Sequence, residues 1–321
     1  MQALLLGTSL LNSALLVYLL RCNRQLIAWN GDDRRRRALV SRFGLDLETV
    51  AAARDLAFLS GCAYYDDEGR VVQSVHAHFV GRVTVRFVRL RKLASGAVYV
   101  AVALSDGRLL IAVRGTNDAN DWFSNANLIS LNLFSASTAE TPSGVGVHKG
   151  WSARAETVYA DVMELGLIAG GETAPTRLQI GGHSMGGAVS SIVAVLLAER
   201  ARFASPIDIL TFGAPPIAGS DVVHVACLEN AHRFVRPGDV AARPFLTFVQ
   251  HGVQVDIEPS RFRCTHTSSN IGQLRAASAG GALKTAQQLR ALGTEPHEIR
   301  GYFKDIDRLF VMMTRGASPR L

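Results

Sequence analysis

Lysine is nearly missing from this chain. Of 34 basic residues only Lys92, Lys149, Lys284 and Lys304 are lysines, and the other 30 are arginines. Cysteine is scarce too: Cys22, Cys62, Cys227 and Cys264 are far apart and form no C-x-x-C pair. That spacing excludes zinc ribbons and thioredoxin-like redox motifs, selects no disulfide pairing, and leaves free, mostly buried thiols as the expectation. Aromatics make up 7% of the residues and do not interleave with the arginines. There is no zinc-finger spacing and no RNA-recognition signature, so the net charge of +7 is not read as a nucleic-acid interface. Repeats and low-complexity tracts are absent as well. What is abundant is apolar side chain: 48% of 321 residues is enough for a substantial core and excludes compositional disorder.

The apolar content is unevenly spread. Residues 3–20 carry no charge, and Arg21 ends the run. Its length is near the lower limit for a helix that spans a bilayer. No basic residue precedes it and no small-residue cleavage site follows, which disfavours a signal peptide. Arg21, Arg24 and Arg34-Arg35-Arg36-Arg37 all lie on its C-terminal side. The expectation is a membrane anchor or interfacial helix over residues 1–24, a basic linker over 25–44, and one globular domain over 45–321. The positive-inside bias would put that domain on the cytoplasmic face. A helix packed on the domain and a secreted, cleaved form are the alternatives.

From residue 45 the patterns are globular. Leu47, Val50, Ala51, Leu56, Ala57 and Leu59 recur at helical spacing, ending near Gly61. Residues 83–90 alternate apolar side chains with arginine, as a half-exposed strand does. Residues 98–104 and 109–113 read as two strands joined across Ser105-Asp106-Gly107, a hairpin signal. His76 and His78 fall on one side of a strand in this reading, but no further ligand stands at metal spacing, so they are read as surface residues. Residues 117–147 form a long polar stretch containing Asp121-Trp122-Phe123, and a loop of that length inside a compact domain is usually functional. An amphipathic helix follows over 151–167.

The most informative stretch is Gly182-His183-Ser184-Met185-Gly186. It joins a short alternating strand, 177–181, to an apolar helix rich in small residues, 187–200. A serine on such a turn is held in a strained backbone with its hydroxyl exposed, beside the free N–H groups of a helix N-terminus. Further strands follow at 207–212 and 233–236, with a short helix at 220–230 between them. This order predicts a mostly parallel α/β sheet with right-handed crossovers, whose functional groups gather at the C-terminal strand ends.

A serine hydroxyl needs a base to take its proton and an acid to hold that base. In a fold of this type the chain order is serine, acid, histidine. Asp239 lies two strands after the serine, on a Pro-Gly turn. Asp208 sits at the wrong end of its strand, and Asp221 reads as a helix cap. Three histidines follow: His251 in a strand turn, His266 in a surface loop, and His297 near the chain end. An oxyanion needs two donors. The backbone N–H of Met185 and the N–H or hydroxyl of Thr116, after the strand at 109–113, are the candidates.

Taken together, Val113-Arg114-Gly115-Thr116, Asp121-Trp122, Val147-His148-Lys149-Gly150-Trp151, Gly182-His183-Ser184-Met185-Gly186-Gly187-Ala188, Thr211-Phe212-Gly213-Ala214-Pro215 and Gly238-Asp239 resemble the class 3 (fungal-type) lipases in order and setting. The resemblance covers roughly residues 45–303. It implies an α/β-hydrolase fold, with Ser184 as nucleophile, Asp239 as acid, His297 as base, and Thr116 and Met185 at the oxyanion. It implies a lid over about 117–133, a lipid ester as substrate, and no metal or cofactor. The family histidine is typically followed by a tyrosine, as Tyr302 follows here. The chain departs from the family at Arg236-Pro237-Gly238, where an Asn-rich lead into the acid is usual. The expected function is a serine ester hydrolase on acylglycerols. Phospholipase A1, an esterase for soluble or aryl esters, and a non-catalytic lipid- or partner-binding module are the alternatives.

Overall fold

The computed structural model describes residues 33–116, 138–140, 146–168, 174–218, 225–239, 241–242, 250–266 and 297–316. The apolar segment 1–24, the lid-like stretch 117–133 and Asp221 lie outside the described residues. Among those described, no helix is long and apolar enough to cross a membrane.

Among the described residues, eight strands form one sheet in the order β1-β2-β3-β6-β7-β8-β9-β10. They are β1 Val85–Lys92, β2 Val98–Leu104, β3 Arg108–Val113, β6 Arg177–His183, β7 Ile207–Phe212, β8 His232–Val235, β9 Val253–Ile257 and β10 Phe262–His266. The pairings β3/β6, β6/β7, β7/β8 and β8/β9 are parallel. The outer pairs β1/β2, β2/β3 and β9/β10 are antiparallel. The short strands β4 Thr138–Glu140 and β5 Gly146–His148 pair separately.

Because the sheet is covered on both faces, its inner strands are apolar at nearly every position rather than at alternate ones. Period-2 alternation then sorts each strand between two cores. Val100, Val102, Leu110, Ala112, Leu210 and Phe212 face one side, with helices α1 Asp33–Phe43, α2 Leu47–Cys62, α3 Glu68–Phe79 and α7 Ile299–Gly316. Tyr99, Ala101, Leu109, Ile111, Ile180 and Ile209 face the other, with α4 Lys149–Glu164, α5 Met185–Glu199 and the single turn α6 Ala226–Glu229. Helix α5 is buried from Gly186 through Leu197, which explains why its sequence is apolar all round. Asp46 and Asp67 cap α2 and α3, accepting from the N–H groups of Thr49 and Arg70, each at 2.7 Å.

Three expectations change. The basic linker is helical from Asp33, and Leu39 and Phe43, one helical turn apart, are buried in the first core. His76 and His78 lie on helix α3, not on a strand. His78 is almost enclosed, with its Nε2 2.8 Å from the buried Asp55 carboxylate. Its ring stacks on Phe58, centroids 4.0 Å apart. The short helix expected over 220–230 is confined, among the described residues, to Ala226–Glu229.

Candidate active site

The C-terminal ends of β3, β6, β7 and β8 lie on one edge of the sheet, and the segment that follows each strand contributes to a single site. Ser184 directly follows β6. Its backbone sits at φ 56° and ψ −132°, a left-handed region that costs a non-glycine residue about 1–3 kcal/mol. Two backbone bonds hold it there: Ser184 N–H donates to Phe212 O, and Gly187 N–H donates to Ser184 O, each at 2.9 Å. A serine before a helix usually caps it with its hydroxyl, but Ser184 makes no such bond. The hydroxyl is therefore not committed to the helix, and the N–H of Met185, at the first position of the helix, stays available for a developing anion.

Close backbone approach explains the flanking glycines. A Cβ on Gly186 would lie 2.1 Å from Val113 O, and one on Gly182 would lie 2.5 Å from the same oxygen. The first turn of α5 is thus pressed onto the end of β3. This brings residues 114–116 against the serine: a Cβ on Gly115 would sit 3.0 Å from Ser184 Cβ. Thr116, half-buried, is the next residue along.

Gly213 ends β7 at φ +61° and gives room to three side chains. A Cβ there would lie 2.5 Å from Asp239 Oδ2, 3.0 Å from His297 Nδ1 and 3.0 Å from Tyr302 Oη. Asp239, on the Pro-Gly turn after β8, is 3% exposed. Its carboxylate accepts from His297 Nδ1 at 3.0 and 3.1 Å, from the Tyr302 hydroxyl at 2.5 Å and from the Ala241 N–H at 2.9 Å. Burial pushes the carboxyl up, but the bonds from His297, Tyr302 and Ala241 outweigh it and hold Asp239 below the ordinary carboxylate range. With Nδ1–H donating to the carboxylate, the lone pair of the imidazole lies on Nε2.

Of the three candidate histidines, His297 is the one bonded to Asp239. His266 ends β10, the last strand of the sheet, in register with Val253. His251 is fully enclosed just before β9, and among the described residues neither of its ring nitrogens meets a hydrogen-bond partner. Asp208 pairs with Arg177 at the opposite end of the strands, at 2.5 and 2.9 Å.

Three contributors carry no sequence signal of their own. His183 is the variable residue of the glycine-serine turn, and its ring lies 4.6 Å from that of His297. Tyr64, just past α2, places its hydroxyl 2.9 Å from His183 Nδ1. Arg236 is a third: its N–H donates to the Tyr302 hydroxyl at 3.1 Å and its Nε to Asp305 at 2.9 Å. It ties the turn bearing Asp239 to helix α7.

Among the described residues, no group of three or more His, Cys, Asp or Glu side chains could hold a metal ion.

A family model described as lipase (class 3) matches residues 110–248, from β3 through the acid turn. A secreted mono- and diacylglycerol lipase from Fusarium solani is 31% identical over 125 residues, 38% of this chain and 34% of the relative. The match thus spans about a third of that relative's length. A solved fungal lipase superposes with a TM-score of 0.57 at 17% identity, covering 82% of this chain and 98% of the other. Lipase II from Rhizopus niveus gives 0.51 at 18% identity, over 71% and 91%. At these identities the superpositions speak for the fold, and the matched family region contains the strand ends around Ser184 and Asp239. Sheet order and serine turn agree with the α/β-hydrolase fold of these superposed structures, and residues 110–248, which hold Ser184 and Asp239, are similar to the class 3 lipases.

Proposed function

We propose that the protein is a serine ester hydrolase that cleaves fatty-acyl esters of acylglycerols through an acyl-enzyme intermediate. The observation that carries this reading is an uncapped serine in strained backbone, next in sequence to His183, whose ring lies 4.6 Å from that of His297, a histidine whose Nδ1 is held by a buried, triply bonded carboxylate. In the proposed cycle Ser184 Oγ attacks the ester carbonyl while His297 Nε2 takes its proton. The Met185 N–H and Thr116 stabilise the tetrahedral oxyanion. Collapse expels the alcohol, which takes the proton from His297. Water, deprotonated by the same nitrogen, then attacks the acyl-enzyme and releases the fatty acid and Ser184. Asp239 stays ionised throughout and stabilises the imidazolium.

The choice of acylglycerol follows the relative from Fusarium solani, whose name is that of a mono- and diacylglycerol lipase. That relative is also named as secreted, which favours a secreted form over membrane association through residues 1–24. Release of the full-length protein by alkaline carbonate would exclude a spanning anchor.

Labelling with a fluorophosphonate tests the chemistry. Wild type is expected to be labelled and Ser184→Ala not; an unlabelled, folded wild type sinks the reading. Hydrolysis rates on diacylglycerol, phosphatidylcholine and p-nitrophenyl acetate separate the lipase reading from a phospholipase or a soluble-ester esterase. Full activity in His297→Ala with loss in His266→Ala would move the base to His266.

A further inference from the structure

Four separate chain segments meet behind the serine, and their hydrogen bonds permit one direction only. His183 Nε2 lies 2.5 Å from the carbonyl oxygen of His297. A carbonyl only accepts, so Nε2 carries the proton and Nδ1 of this neutral ring is an acceptor. The neighbour of Nδ1 is the Tyr64 hydroxyl at 2.9 Å, which must then donate. The Tyr64 oxygen in turn lies against Gly115, close enough that a Cβ on that residue would come within 2.6 Å of it. The order is Tyr64 O–H to His183 Nδ1, then His183 Nε2–H to the His297 carbonyl, with Gly115 packed on the Tyr64 oxygen. One end is the loop bearing Thr116. The other is the main chain of His297, whose ring is held separately by Asp239.

We propose that Tyr64 and His183 are positioning residues that set the oxyanion loop and the base loop at a fixed separation across the serine turn. The inference rests on the catalytic reading above. Neither residue exchanges a proton with substrate. Burial keeps the His183 ring neutral down to about 3 and the Tyr64 hydroxyl protonated up to about 12, so the relay holds one protonation state over the whole working range. The geometry accounts for a histidine at a position the glycine-serine turn leaves open: it needs an acceptor and a donor on opposite sides of one flat, buried group. It also accounts for the absence of a side chain at Gly115, where a Cβ would lie 2.6 Å from the Tyr64 oxygen.

Tyr64→Phe keeps the ring and removes the hydroxyl's bond to His183 and its contact with Gly115. The expected result is a fall in kcat of about 10- to 100-fold, the range for a misplaced catalytic group, with KM changed less than about twofold. Inhibition by a trifluoromethyl ketone, which forms the oxyanion, should weaken by the same factor as kcat/KM. His183→Phe should match Tyr64→Phe, and the double variant should lose no more than either alone. His183→Gln, which offers an amide oxygen and an amide N–H, should recover most of the activity that His183→Phe loses. Substrate is p-nitrophenyl butyrate, and folding is checked by thermal melting. Wild-type kcat in folded Tyr64→Phe overturns the inference, as does a KM effect without a kcat effect. Equal activity of His183→Gln and His183→Phe overturns it even if Tyr64→Phe fails to fold. A wild type that fluorophosphonate does not label refutes the catalytic reading instead, so the two failures are distinguishable.

Discussion

Lowering the pH from 7 to 5 should remove a large part of the folding stability, through two histidines that never charge in the native state. His183 and His251 are both fully enclosed, and burial drives each down from an ordinary value of 6.5 to about 3. Between those values the unfolded chain binds protons that the folded chain does not, so stability is complete above about 6.5 and falls with pH. At pH 5 the unfolded imidazole is almost fully protonated and the folded one is not. Each histidine then costs about 2 kcal/mol relative to pH 7, and the figure is nearly the same for any folded value below about 4. Together they cost about 4 kcal/mol, against the ~5–15 kcal/mol that typically holds a domain together. His78 and His148 are lowered as well and add to the slope. Asp55, Asp161 and Asp239, all held below the ordinary carboxylate value of 3.8, keep their contribution at pH 5 and lose it only at lower pH. Urea unfolding followed by fluorescence of the three tryptophans reads the effect. With a slope of about 3 kcal/mol per molar urea, the midpoint should fall by about 1 M or more. His251→Leu is the sharper perturbation. Its ring makes no hydrogen bond among the described residues, so the change removes a titrating group without orphaning a partner. It should remove about 2 kcal/mol of the pH dependence and cost little at pH 7. Equal midpoints at pH 7 and 5, or an undiminished slope in His251→Leu, would refute the reasoning.

Tyr302→Phe removes a donor to Asp239 and the acceptor of the Arg236 N–H; kcat should fall about tenfold and stability by about 1–3 kcal/mol, read by steady-state kinetics and melting. Arg236→Ala and Asp305→Ala should each lower stability, and their double-mutant cycle should return a coupling of about 1 kcal/mol for this partly buried pair. Gly213→Ala places a methyl group 2.5 Å from Asp239 Oδ2 in a left-handed backbone, so hydrolysis should drop at least about 100-fold. An active Gly213→Ala would show that displacement of Asp239 is tolerated, against the role proposed for it.

The part of the site visible in the sequence is the part written locally. The strand, turn and helix around Ser184 are fixed by hydrophobic period and glycine spacing, and Asp239 is marked by a Pro-Gly turn at a strand end. The histidine proposed as base is different. His251, His266 and His297 all follow the acid, and their immediate neighbours do not say which one returns to it; only the resemblance, through Tyr302, favours His297. Packing decides: α7 lays Tyr302 beside Asp239 and leaves His251 in the core. The arginine run at 34–37 masked a helix because composition outweighed Leu39 and Phe43. The Val-His-Ala-His alternation at 75–78 reads as a strand, whereas Val71, Val75 and Phe79, each buried in α3, give the helical period. Tyr64 has no signal of any kind, since its hydrogen-bond partner His183 lies 119 positions away.

The contacts that close the molecule also set a time order. Helix α7 packs on α2, and Arg54 of α2 reaches Asp307 of α7 across 253 positions of chain. His183 and the His297 carbonyl are joined across 114. Contacts between such distant positions form late, because a long loop must close before they yield any gain. During synthesis the strained serine emerges well before the histidine that would activate it, and before the helix that holds the acid. On the catalytic reading, a chain still on the ribosome carries a nucleophile without a base, so it is inert toward esters until its two halves meet.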